Sequence, residues 1–288
     1  MRQELLPTFE PSESDLYDRA LAQPLEAKIK SAIVLLQLHA GIAESMSADG
    51  YWLAYSGGKD SDVILELAKM AGVKYRPVYN VTTIDPPELV RYIKREHQEV
   101  EFNRPEKAML TMLAEDNSCG PPTRLARWCC EKYKEHGGDG MANVIGVRAA
   151  ESTRRKLTWK QVIANKRMGT IVCPILYWTD DDVWEFHKRY NLKYCELYDE
   201  GFKRLGCIGC PLAGCAQQHA EFARWPKYEQ AWKRAFERFW NKWHGVPTLK
   251  GERRWFEDFG SWDGLWEWWT TGKRKEDGEE CQTIRLFT

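Results

Sequence analysis

The fold of this chain is decided by the stretch Trp52-Leu53-Ala54-Tyr55-Ser56-Gly57-Gly58-Lys59-Asp60-Ser61. It begins as an apolar run, which predicts a buried strand, and it breaks off at two adjacent glycines. Apolar side chains then return at three- and four-residue spacing, at Val63, Ile64, Leu67, Ala68 and Ala71, and this period predicts an amphipathic helix. The segment therefore predicts a strand, a glycine turn and a helix in direct succession.

A turn of this kind is suited to binding phosphate groups. Gly57 and Gly58 allow the backbone to approach a ligand closely and to point its N–H groups inward. The N-terminus of the following helix adds the positive end of its dipole, and Lys59 adds a full charge. The hydroxyls of Ser56 and Ser61 complete a loop that we expect to bind a polyanion such as pyrophosphate.

The loop differs from the Walker sequence, in which four residues separate the first glycine from a Gly-Lys pair. Here the two glycines are adjacent and Lys59 follows directly. The alternative interpretation is a structural strand-to-helix turn that carries a surface lysine. The match of all six residues, placed between a strand and a helix, favours phosphate binding.

The composition excludes several classes of function without indicating one. The chain has 288 residues, and its 42 lysines and arginines balance its 42 aspartates and glutamates, so no overall charge draws it to nucleic acid or to a membrane. No run approaches the roughly 18 apolar residues of a membrane span, and the first residues lack the apolar centre of a signal peptide. We expect a cytoplasmic protein, in which the nine cysteines are ligands or reactive thiols rather than disulfides.

Strands and helices alternate along most of the chain. Helices are predicted over residues 12–22 and 25–45, and short runs that predict strands follow at residues 75–81, 100–103, 143–146 and 170–174. This order predicts an α/β fold with a doubly wound, mostly parallel sheet. Nine of the fourteen tryptophans lie between Trp225 and Trp269, which indicates a smaller helical C-terminal region. The predicted domains are N-terminal helices at residues 1–48, the α/β domain at residues 49–194 and the Trp-rich region at residues 195–288.

A second charged segment is expected beside the glycine turn. Residues 148–155 follow the strand predicted at 143–146, and they include Arg148, Arg154 and Arg155. In a doubly wound sheet, ligands bind at the carboxyl ends of the strands. The glycine turn and these arginines are therefore expected at one edge of the sheet. The alternative is a basic face exposed to solvent.

Four cysteines have the spacing of metal ligands. Cys129 and Cys130 are adjacent, and Cys207 and Cys210 form a Cys-x-x-Cys pair that can bring two thiolates to one centre. Four thiolates suit either Zn²⁺ or a four-iron, four-sulfur (4Fe–4S) cluster. Two neighbouring residues turn their side chains to a single atom with difficulty, so the spacing favours the cluster, whose irons are separate. The alternatives are a thioredoxin-like pair at positions 207 and 210 and a purely apolar role for positions 129 and 130.

These motifs together resemble the PAPS reductase family of the PP-loop ATP pyrophosphatases, the adenine nucleotide α-hydrolase superfamily. The resemblance runs from about residue 52 to residue 211. It rests on Ser-Gly-Gly-Lys-Asp-Ser at 56–61, Cys-Cys at 129–130, Gly-Val-Arg at 146–148 with the arginines that follow, Trp-Thr-Asp-Asp-Asp-Val-Trp at 178–184 and Gly-Phe-Lys-Arg-Leu-Gly-Cys at 201–207. It implies that Arg148, Arg154 and Arg155 contact phosphate or sulfate oxygens. It also implies that the four cysteines correspond to the cluster ligands of iron–sulfur APS reductases.

The chain departs from the reductases of this family at two points. Their equivalent loop usually lacks the Gly-Lys-Asp sequence, whereas here residues 56–61 are intact. Their catalytic cysteine lies in a C-terminal Glu-Cys-Gly-Leu/Ile-His motif, whereas Cys281 is followed by Gln282-Thr283-Ile284 and is either a mobile nucleophile or an ordinary exposed thiol. With an intact loop beside a cysteine cluster, the chain is more similar to the ATP-pyrophosphatase subunits of DNA phosphorothioation and to enzymes that thiolate tRNA bases.

The resemblance implies an ATP-dependent adenylating enzyme of sulfur transfer. ATP and Mg²⁺ would bind at residues 56–61, with Lys59, Asp60 and Arg148 in catalysis, and the reaction would form AMP and pyrophosphate. The expected partners are a sulfur donor such as a cysteine desulfurase, a DNA or tRNA acceptor and a second copy of the chain in a homodimer. No membrane partner is expected.

Two other functions compete with this one. The first is a PAPS or APS reductase that releases sulfite, with Cys281 as the nucleophile and thioredoxin as the reductant. The second is a nucleic-acid-binding module, in which Trp232, Phe236, Phe239 and Trp243 stack on bases and neighbouring lysines and arginines contact phosphates. Aromatic residues at helical spacing more often belong to a core, so we favour the enzyme.

Overall fold

The computed structural model of the chain describes residues 13–116 and 120–272. Its α-helices are α1 (Glu13–Leu21), α2 (Leu25–Met46), α3 (Lys59–Ala71), α4 (Pro87–Glu96), α5 (Met109–Glu115), α6 (Thr153–Thr158), α7 (Asp180–Arg189), α8 (Cys215–Arg224), α9 (Pro226–Trp243) and α10 (Trp262–Thr271). Its strands are β1 (Tyr51–Tyr55), β2 (Tyr75–Asn80), β3 (Glu101–Asn103), β4 (Ala142–Val144), β5 (Val162–Asn165) and β6 (Gly169–Val172). Within these residues, no helix combines the length and the apolar character that crossing a lipid bilayer requires.

The strands of the described residues form one sheet in the order β3-β2-β1-β4-β6-β5. β1 pairs in parallel with β2 and β4, and β4 pairs in parallel with β6, whereas β5 runs antiparallel to β6. The chain runs outward from β1 to β2 and β3, and it then resumes with β4 on the other side of β1. This reversal confirms the predicted doubly wound, mostly parallel α/β sheet, and it creates a topological switch point between β1 and β4.

The strand and the helix on either side of the glycine turn lie in the core. Tyr51, Leu53 and Tyr55 of β1 are buried, as expected for a central parallel strand that is covered on both faces. α3 buries its apolar side chains at the predicted spacing and ends at Gly72, whose φ of 66° is left-handed. The Tyr51 hydroxyl donates a hydrogen bond to the carbonyl oxygen of Leu36 at 2.7 Å, which ties α2 to the strand.

The sequence pattern does not predict β5. Ala164 and Asn165 are exposed, so this segment lacks the continuous apolar run of a buried strand. A turn closes the hairpin, because Asn165 Oδ1 accepts hydrogen bonds from the N–H groups of Arg167 and Met168 at 2.9 and 3.0 Å. As an antiparallel strand, β5 needs only one apolar face, and such a strand is difficult to distinguish from a loop in the sequence.

The chain forms two compact units, each assembled from separate segments. The first unit combines the described residues up to Tyr79 with Tyr92–Glu101 and Gly138–Glu200. The second combines Asn80–Arg91 and Phe102–Gly137 with the described residues from Gly201 onward. The domains predicted from the sequence are continuous stretches, whereas these units interleave along the chain. A chain that leaves a unit and later returns to it shows no change in composition where it crosses, so composition does not reveal the interleaving.

Tryptophans form much of the core of the second unit. Trp232 of α9 packs against Trp269 of α10 with ring centroids 4.7 Å apart, and Phe236 of α9 packs on Trp266 of α10 at 5.2 Å. Each ring of this size removes a large apolar area from water, on the order of 150–250 Å². The packing confirms the predicted Trp-rich helical region near the C-terminus.

Candidate functional site

The glycine turn lies at the N-terminus of α3. Gly57 has a φ of 72°, a conformation that residues with a Cβ strongly disfavour. Gly58 is the N-cap of α3, and the Ser61 hydroxyl donates a hydrogen bond to the Gly58 carbonyl oxygen at 2.7 Å. The Ser56 and Ser61 hydroxyl oxygens are 3.3 Å apart. The residues of the predicted phosphate loop therefore form a tight turn over a helix N-terminus, where an anion is stabilised.

Two cations and two carboxylates meet at this turn. The side chains of Lys59 and Arg148 are only 6% and 5% exposed. Lys59 Nζ lies 3.2 Å from Asp180 Oδ1 and 3.6 Å from Asp60 Oδ2. Arg148 donates from Nε to Asp60 Oδ1 at 2.6 Å and from Nη2 to Asp180 Oδ1 at 2.9 Å. The four charges cancel, which offsets the cost of burying the two cations.

Arg148 reaches the turn because β4 lies beside β1. Val144 of β4 pairs with Leu53 of β1, so the two strands direct their following loops to the same edge of the sheet. Gly146 permits the close approach, since a Cβ at this position would stand 3.2 Å from the Asp60 carbonyl oxygen. The structure thus brings Arg148 and the glycine turn together at the edge where the sequence predicts them.

Tyr198 and His187 hold the backbone of Lys59 from two sides. The Tyr198 hydroxyl accepts a hydrogen bond from the Lys59 N–H at 3.0 Å, and His187 Nε2 donates to the Lys59 carbonyl oxygen at 2.9 Å. Burial lowers the pKa of His187, so its ring is neutral at neutral pH. Sequence reasoning missed both residues, because they lie far from the loop along the chain and no local motif marks them.

Asp180 is a third residue whose role sequence reasoning missed. It is the first residue of α7, after an N-cap at Thr179 whose hydroxyl accepts a hydrogen bond from the Asp182 N–H. Partial burial disfavours the charged carboxylate, but the charges of Lys59 and Arg148 prevail and lower the pKa of Asp180. The Asp-rich motif at residues 178–184 contains it and is the signal that could have identified it.

Arg154 and Arg155 lie in α6, after the loop that carries Arg148. Arg154 is exposed, and the guanidinium of Arg155 forms an ion pair with Glu151 one helical turn earlier. The assignment of these two arginines to phosphate or sulfate binding stays a prediction.

A buried carboxylate lies in the first turn of α3. The Tyr55 hydroxyl oxygen lies 2.5 Å from Asp62 Oδ1, and the Tyr92 hydroxyl oxygen lies 3.0 Å from Asp62 Oδ2. His97 Nε2 is 3.5 Å from Asp62 Oδ1. Burial raises the pKa of Asp62 to about 7, and the hydrogen bonds from the two tyrosines oppose the rise. The first turn of α3 therefore contains a buried group that changes charge near neutral pH.

The four predicted ligand cysteines all belong to the second unit. Cys129 precedes a π-helical turn that begins at Cys130, and the Cys210 N–H donates a hydrogen bond to the Cys207 carbonyl oxygen at 3.3 Å. A hydrogen bond with Cys130, burial, and the charges of the neighbouring thiols at positions 130, 207 and 210 raise the pKa of Cys129. The thiol charges at positions 130, 207 and 210 therefore all act on Cys129.

Basic residues lie close to these thiols. A hydrogen bond with Cys129 lowers the pKa of Cys130, and the Arg127 guanidinium adds to this effect. Burial raises the pKa of Cys207 to about 11, and Lys134 opposes the rise. The Cys207 charge is in turn the main cause that raises the pKa of Lys134. Nearby cations favour the thiolate, which is the form of cysteine that binds metals.

The Cys-x-x-Cys turn is held by side chains of α8 and α9. Trp232 Nε1 donates a hydrogen bond to the Ile208 carbonyl oxygen at 3.0 Å, and Gln218 Nε2 donates to the Gly209 carbonyl oxygen at 2.9 Å. Glu221 Oε2 accepts a hydrogen bond from the Gly209 N–H at 2.7 Å. The helices thus fix the conformation of the backbone between Cys207 and Cys210.

The metal assignments are not tested by this geometry. The donor set at positions 129, 130, 207 and 210 fits a thiolate-ligated group in kind, since it contains only sulfur donors and has cations beside it. In the part of the chain that the structure describes, no group of three or more histidine, cysteine, aspartate and glutamate side chains is placed so that it could hold a metal ion. The cluster and its zinc alternative stay predictions. Cys281, the predicted nucleophile, lies outside the described residues.

The aromatic stripe of α9 is part of the core. Trp232, Phe236 and Phe239 are fully buried, and Phe239 packs on Phe256 with ring centroids 4.6 Å apart. Buried rings cannot stack on bases. The nucleic-acid-binding alternative therefore loses most of the feature on which it rested.

The doubly wound sheet, with a glycine turn at its switch point, defines an α/β protein of the class that binds ligands at the carboxyl ends of its strands. Residues 50–213 match the family model of the phosphoadenosine phosphosulfate reductase domain. The match extends over more than half of the chain and includes the glycine turn, Arg148 and the four cysteines. The chain belongs to this family, which confirms the resemblance inferred from its motifs.

Curated relatives match the chain over part of their own length. Two uncharacterized proteins of Methanocaldococcus jannaschii are 29% and 28% identical over 234 and 235 residues, 75% of this chain in each case but 51% and 45% of those proteins. The chain therefore spans about half the length of these relatives. An adenosine 5'-phosphosulfate reductase of Oceanobacillus iheyensis is 37% identical over 83 residues, 28% of this chain and 34% of the reductase.

Solved structures resemble the chain at low sequence identity. An FMN adenylyltransferase of Candida glabrata has a TM-score of 0.46 at 17% identity and covers 68% of this chain and 69% of its own. A phosphoadenylyl-sulfate reductase of Candida auris, in a phosphate complex, has a TM-score of 0.40 at 16% identity and covers 69% of this chain and 97% of its own. The fold assignment rests on the strand order and on the family match.

Proposed function

We propose that the chain cleaves ATP between its α and β phosphates and adenylates an acceptor for sulfur transfer. The observation that carries the proposal is the convergence of two buried cations, Lys59 and Arg148, on a glycine turn at a helix N-terminus. An ammonium and a guanidinium beside backbone N–H groups suit a polyphosphate far better than a neutral ligand. The family match supports the nucleotide. The intact residues 56–61 favour ATP over a nucleotide that lacks a pyrophosphate leaving group.

The reaction is a nucleotidyl transfer. An acceptor oxygen attacks the α-phosphorus of ATP, the bond from the α-phosphorus to the oxygen that bridges to the β-phosphorus breaks, and pyrophosphate leaves. Negative charge develops on the leaving group at residues 56–61, where the Lys59 ammonium and the positive end of the α3 dipole stabilise it. Arg148 would bind an oxygen of the α- or β-phosphate through its forked donors. These residues contribute position and charge rather than proton transfer.

His187 and Tyr198 support the site by holding the Lys59 backbone at its carbonyl oxygen and its N–H. A lysine whose backbone is already ordered loses less conformational entropy when a ligand arrives. The neutral ring of His187 adds no competing positive charge. Both residues are therefore assigned a positioning role.

The proposed metals have separate places in this scheme. Both carboxylate oxygens of Asp60 already face cations, Arg148 at one and Lys59 at the other, so Mg²⁺ would enter with the nucleotide and take most of its ligands from phosphate oxygens. The cysteines at positions 129, 130, 207 and 210 would hold the 4Fe–4S cluster, with Zn²⁺ as the alternative. A bound cluster of this type supplies a redox-active centre with thiolate ligands.

Sulfur transfer would complete the reaction. The terminal sulfur of a donor persulfide would displace AMP from the adenylated acceptor, and the AMP would carry away the acceptor oxygen. A thiol reductant would then cleave the resulting disulfide and leave the sulfur on the acceptor. We propose DNA or tRNA as the acceptor and a cysteine desulfurase as the type of sulfur donor. We further propose a homodimer that works in the cytoplasm, where thiols stay reduced.

A second candidate function is the reduction of APS or PAPS. The family match and the identity to an adenosine 5'-phosphosulfate reductase favour it. In this reaction the Cys281 thiolate would attack the sulfonyl sulfur and release AMP or PAP. A thioredoxin thiol would then attack the cysteine sulfur, releasing sulfite and forming a mixed disulfide.

The two candidates form different products, so one assay separates them. The chain is incubated with ATP and candidate acceptors, and in parallel with APS or PAPS and thioredoxin, and pyrophosphate and sulfite are measured. We expect pyrophosphate from ATP in the presence of the acceptor and no sulfite from either sulfonucleotide. Sulfite release that disappears in Cys281→Ser would replace the proposed function by the reductase.

Lys59→Ala tests the residue on which the proposal depends. We expect pyrophosphate release to fall at least about 100-fold, because the variant removes a charge aimed at the leaving group. Lys69→Ala is the matched control, since Lys69 lies on the same helix but its ammonium pairs with Glu99 at 2.9 Å. This control should change the rate less than about twofold, as expected for a surface ion pair. Undiminished release in Lys59→Ala would contradict the proposed function.

A further inference from the structure

Asp180 lies between the two buried cations of the glycine turn. Its Oδ1 is 3.2 Å from Lys59 Nζ and 2.9 Å from Arg148 Nη2, so a single oxygen is shared by an ammonium and a guanidinium. Shared charge-assisted contacts of this kind are also those that lysine and arginine make with phosphate oxygens. The carboxylate thus makes contacts that a ligand phosphate would need.

Exposure distinguishes Asp180 from its partners. Its side chain is 59% exposed, whereas the side chains of Lys59 and Arg148 are almost completely buried. A carboxylate that moves from this position into water loses little solvation, but a buried cation that loses its anion is strongly destabilised. The two cations therefore require an anion, and Asp180 is the one that exchanges most easily. Asp60 is better retained, because its side chain is only 23% exposed.

We propose that Asp180 competes with ligand phosphates for Lys59 and Arg148, and that an oxygen of the bound polyphosphate displaces it. Asp180 is then an affinity-determining residue of the nucleotide site. This inference rests on the proposed function and adds to it a competition between a protein carboxylate and the ligand. The segment that follows Asp180 acts on the same loop, since Tyr198 occupies the Lys59 N–H at 3.0 Å.

Competition of this kind lowers the apparent affinity for the ligand. The polyphosphate binds fully only where Asp180 has released the cations, so the apparent dissociation constant equals the intrinsic constant divided by the fraction of molecules in which Asp180 is released. For a partly exposed carboxylate shared by two cations, we expect an effect of about three- to tenfold. Removing the carboxylate should therefore strengthen binding, whereas damage to a binding site weakens it.

The test compares Asp180→Asn with Asp181→Asn. Both variants remove one negative charge from the first turn of α7, but Asp181 is exposed and has no ion pair or hydrogen-bond partner for its carboxylate in the described part of the chain. Dissociation constants for inorganic pyrophosphate and for ATP are measured by titration calorimetry, with and without Mg²⁺. We expect Asp180→Asn to bind both ligands about three- to tenfold more tightly under both conditions, and Asp181→Asn to stay within about twofold.

Unchanged or weaker binding in Asp180→Asn would overturn the inference, and a loss confined to the titrations with Mg²⁺ would assign Asp180 to the metal instead. An equal gain in both variants would overturn it as well, because the effect would then be one of general charge. If the unmodified chain binds neither ligand, the proposed function fails and the inference fails with it, so the two failures are distinguishable.

If Asp180→Asn does not fold, a crystal structure of the unmodified chain with pyrophosphate decides. Phosphate oxygens on Lys59 and Arg148, with Asp180 withdrawn, support the inference, and Asp180 still between the cations overturns it.

Discussion

The glycine turn at residues 56–61 and the cysteine turn at residues 207–210 satisfy their polar groups in opposite ways. At the first turn, Lys59 and Arg148 are balanced by carboxylates that are partly exposed, and an incoming anion can replace such partners. At the second turn, the backbone is held by buried hydrogen bonds that Trp232 and Gln218 donate and Glu221 accepts. The difference indicates that the first site is prepared to exchange ligands, whereas the second is prepared to keep a fixed shape.

If the cysteine turn holds a permanent metal group, removing one thiolate should have the largest effect. We expect the unmodified chain to contain about four iron atoms, as for a cluster with four cysteine ligands. Cys207→Ser should remove nearly all of this iron. Iron, zinc and acid-labile sulfide are measured after anaerobic purification, together with the visible absorption spectrum.

The matched control is Cys215→Ser, which changes the first residue of α8 and should retain the full metal content. Loss of metal in this variant would indicate that Cys215 is one of the metal ligands. About one zinc atom for each chain, without iron or sulfide, would favour the zinc alternative. An unmodified chain that contains neither metal would contradict the interpretation that the cysteine turn has a fixed shape because it holds a permanent metal group.

The rigidity of the cysteine turn can be tested at Gly209. Its φ is 76°, and a Cβ at this position would stand 2.5 Å from the Phe222 ring. We expect Gly209→Ala to lower the free energy of unfolding by about 2–4 kcal/mol, the sum of backbone strain and overpacking. Urea denaturation followed by tryptophan fluorescence measures the change.

Gly245→Ala separates the two contributions to this loss. Gly245 has a similar φ of 74°, but a Cβ there would meet no atom within 4 Å, so only the backbone strain of about 1 kcal/mol is expected. Equal losses in the two alanine variants would show that the surroundings of Gly209 adapt. The cysteine turn would then be less fixed than the comparison requires.

The glycine turn should respond to pH through Asp62. Its pKa in the folded chain is about 7, above the ordinary value of 3.8, so the folded chain retains a proton that the unfolded chain has lost between these values. The resulting stability is complete below about pH 4 and is lost as the pH rises through 7. Relative to Asp62→Asn, the unmodified chain should lose about 2 kcal/mol between about pH 5.5 and 8.5.

Urea denaturation of both proteins at the two pH values measures this difference. Tyr55, Tyr92, His97, Asp60 and Lys69 are the titratable groups that contribute to the environment of Asp62 or face it, and all of them are present in both proteins. A difference that is independent of pH would show that Asp62 keeps the same charge throughout this range. The difference between a glycine turn that depends on charged groups and a cysteine turn that depends on backbone hydrogen bonds would then be smaller.

The sequence predicts those parts of the fold and site that rest on local pattern. The order of β1, glycine turn and α3 follows from hydrophobic period and glycine content, and the position of Arg148 follows from the rule that ligands bind at the carboxyl ends of strands. The helical stripe that contains Trp232 is correctly predicted as a helix, and its burial matches the more frequent use of such stripes.

The remaining features depend on contacts between distant segments. Asp180, His187 and Tyr198 reach Lys59 only through the fold. The Asp-rich motif at residues 178–184 marks Asp180, but no local motif marks His187 or Tyr198. β5 carries exposed residues and lacks the pattern of a buried strand. The two compact units interleave along the chain, and no change of composition marks the points at which the chain passes from one to the other.

We propose that the glycine turn binds the phosphates of ATP. A crystal structure with a non-hydrolysable ATP analogue tests it most directly. We predict the β- and γ-phosphates at residues 56–61, with Lys59 Nζ within about 3 Å of their oxygens and the Arg148 guanidinium within about 3 Å of an α- or β-phosphate oxygen. An analogue bound elsewhere, with the turn and its ion pairs unchanged, would contradict the claim.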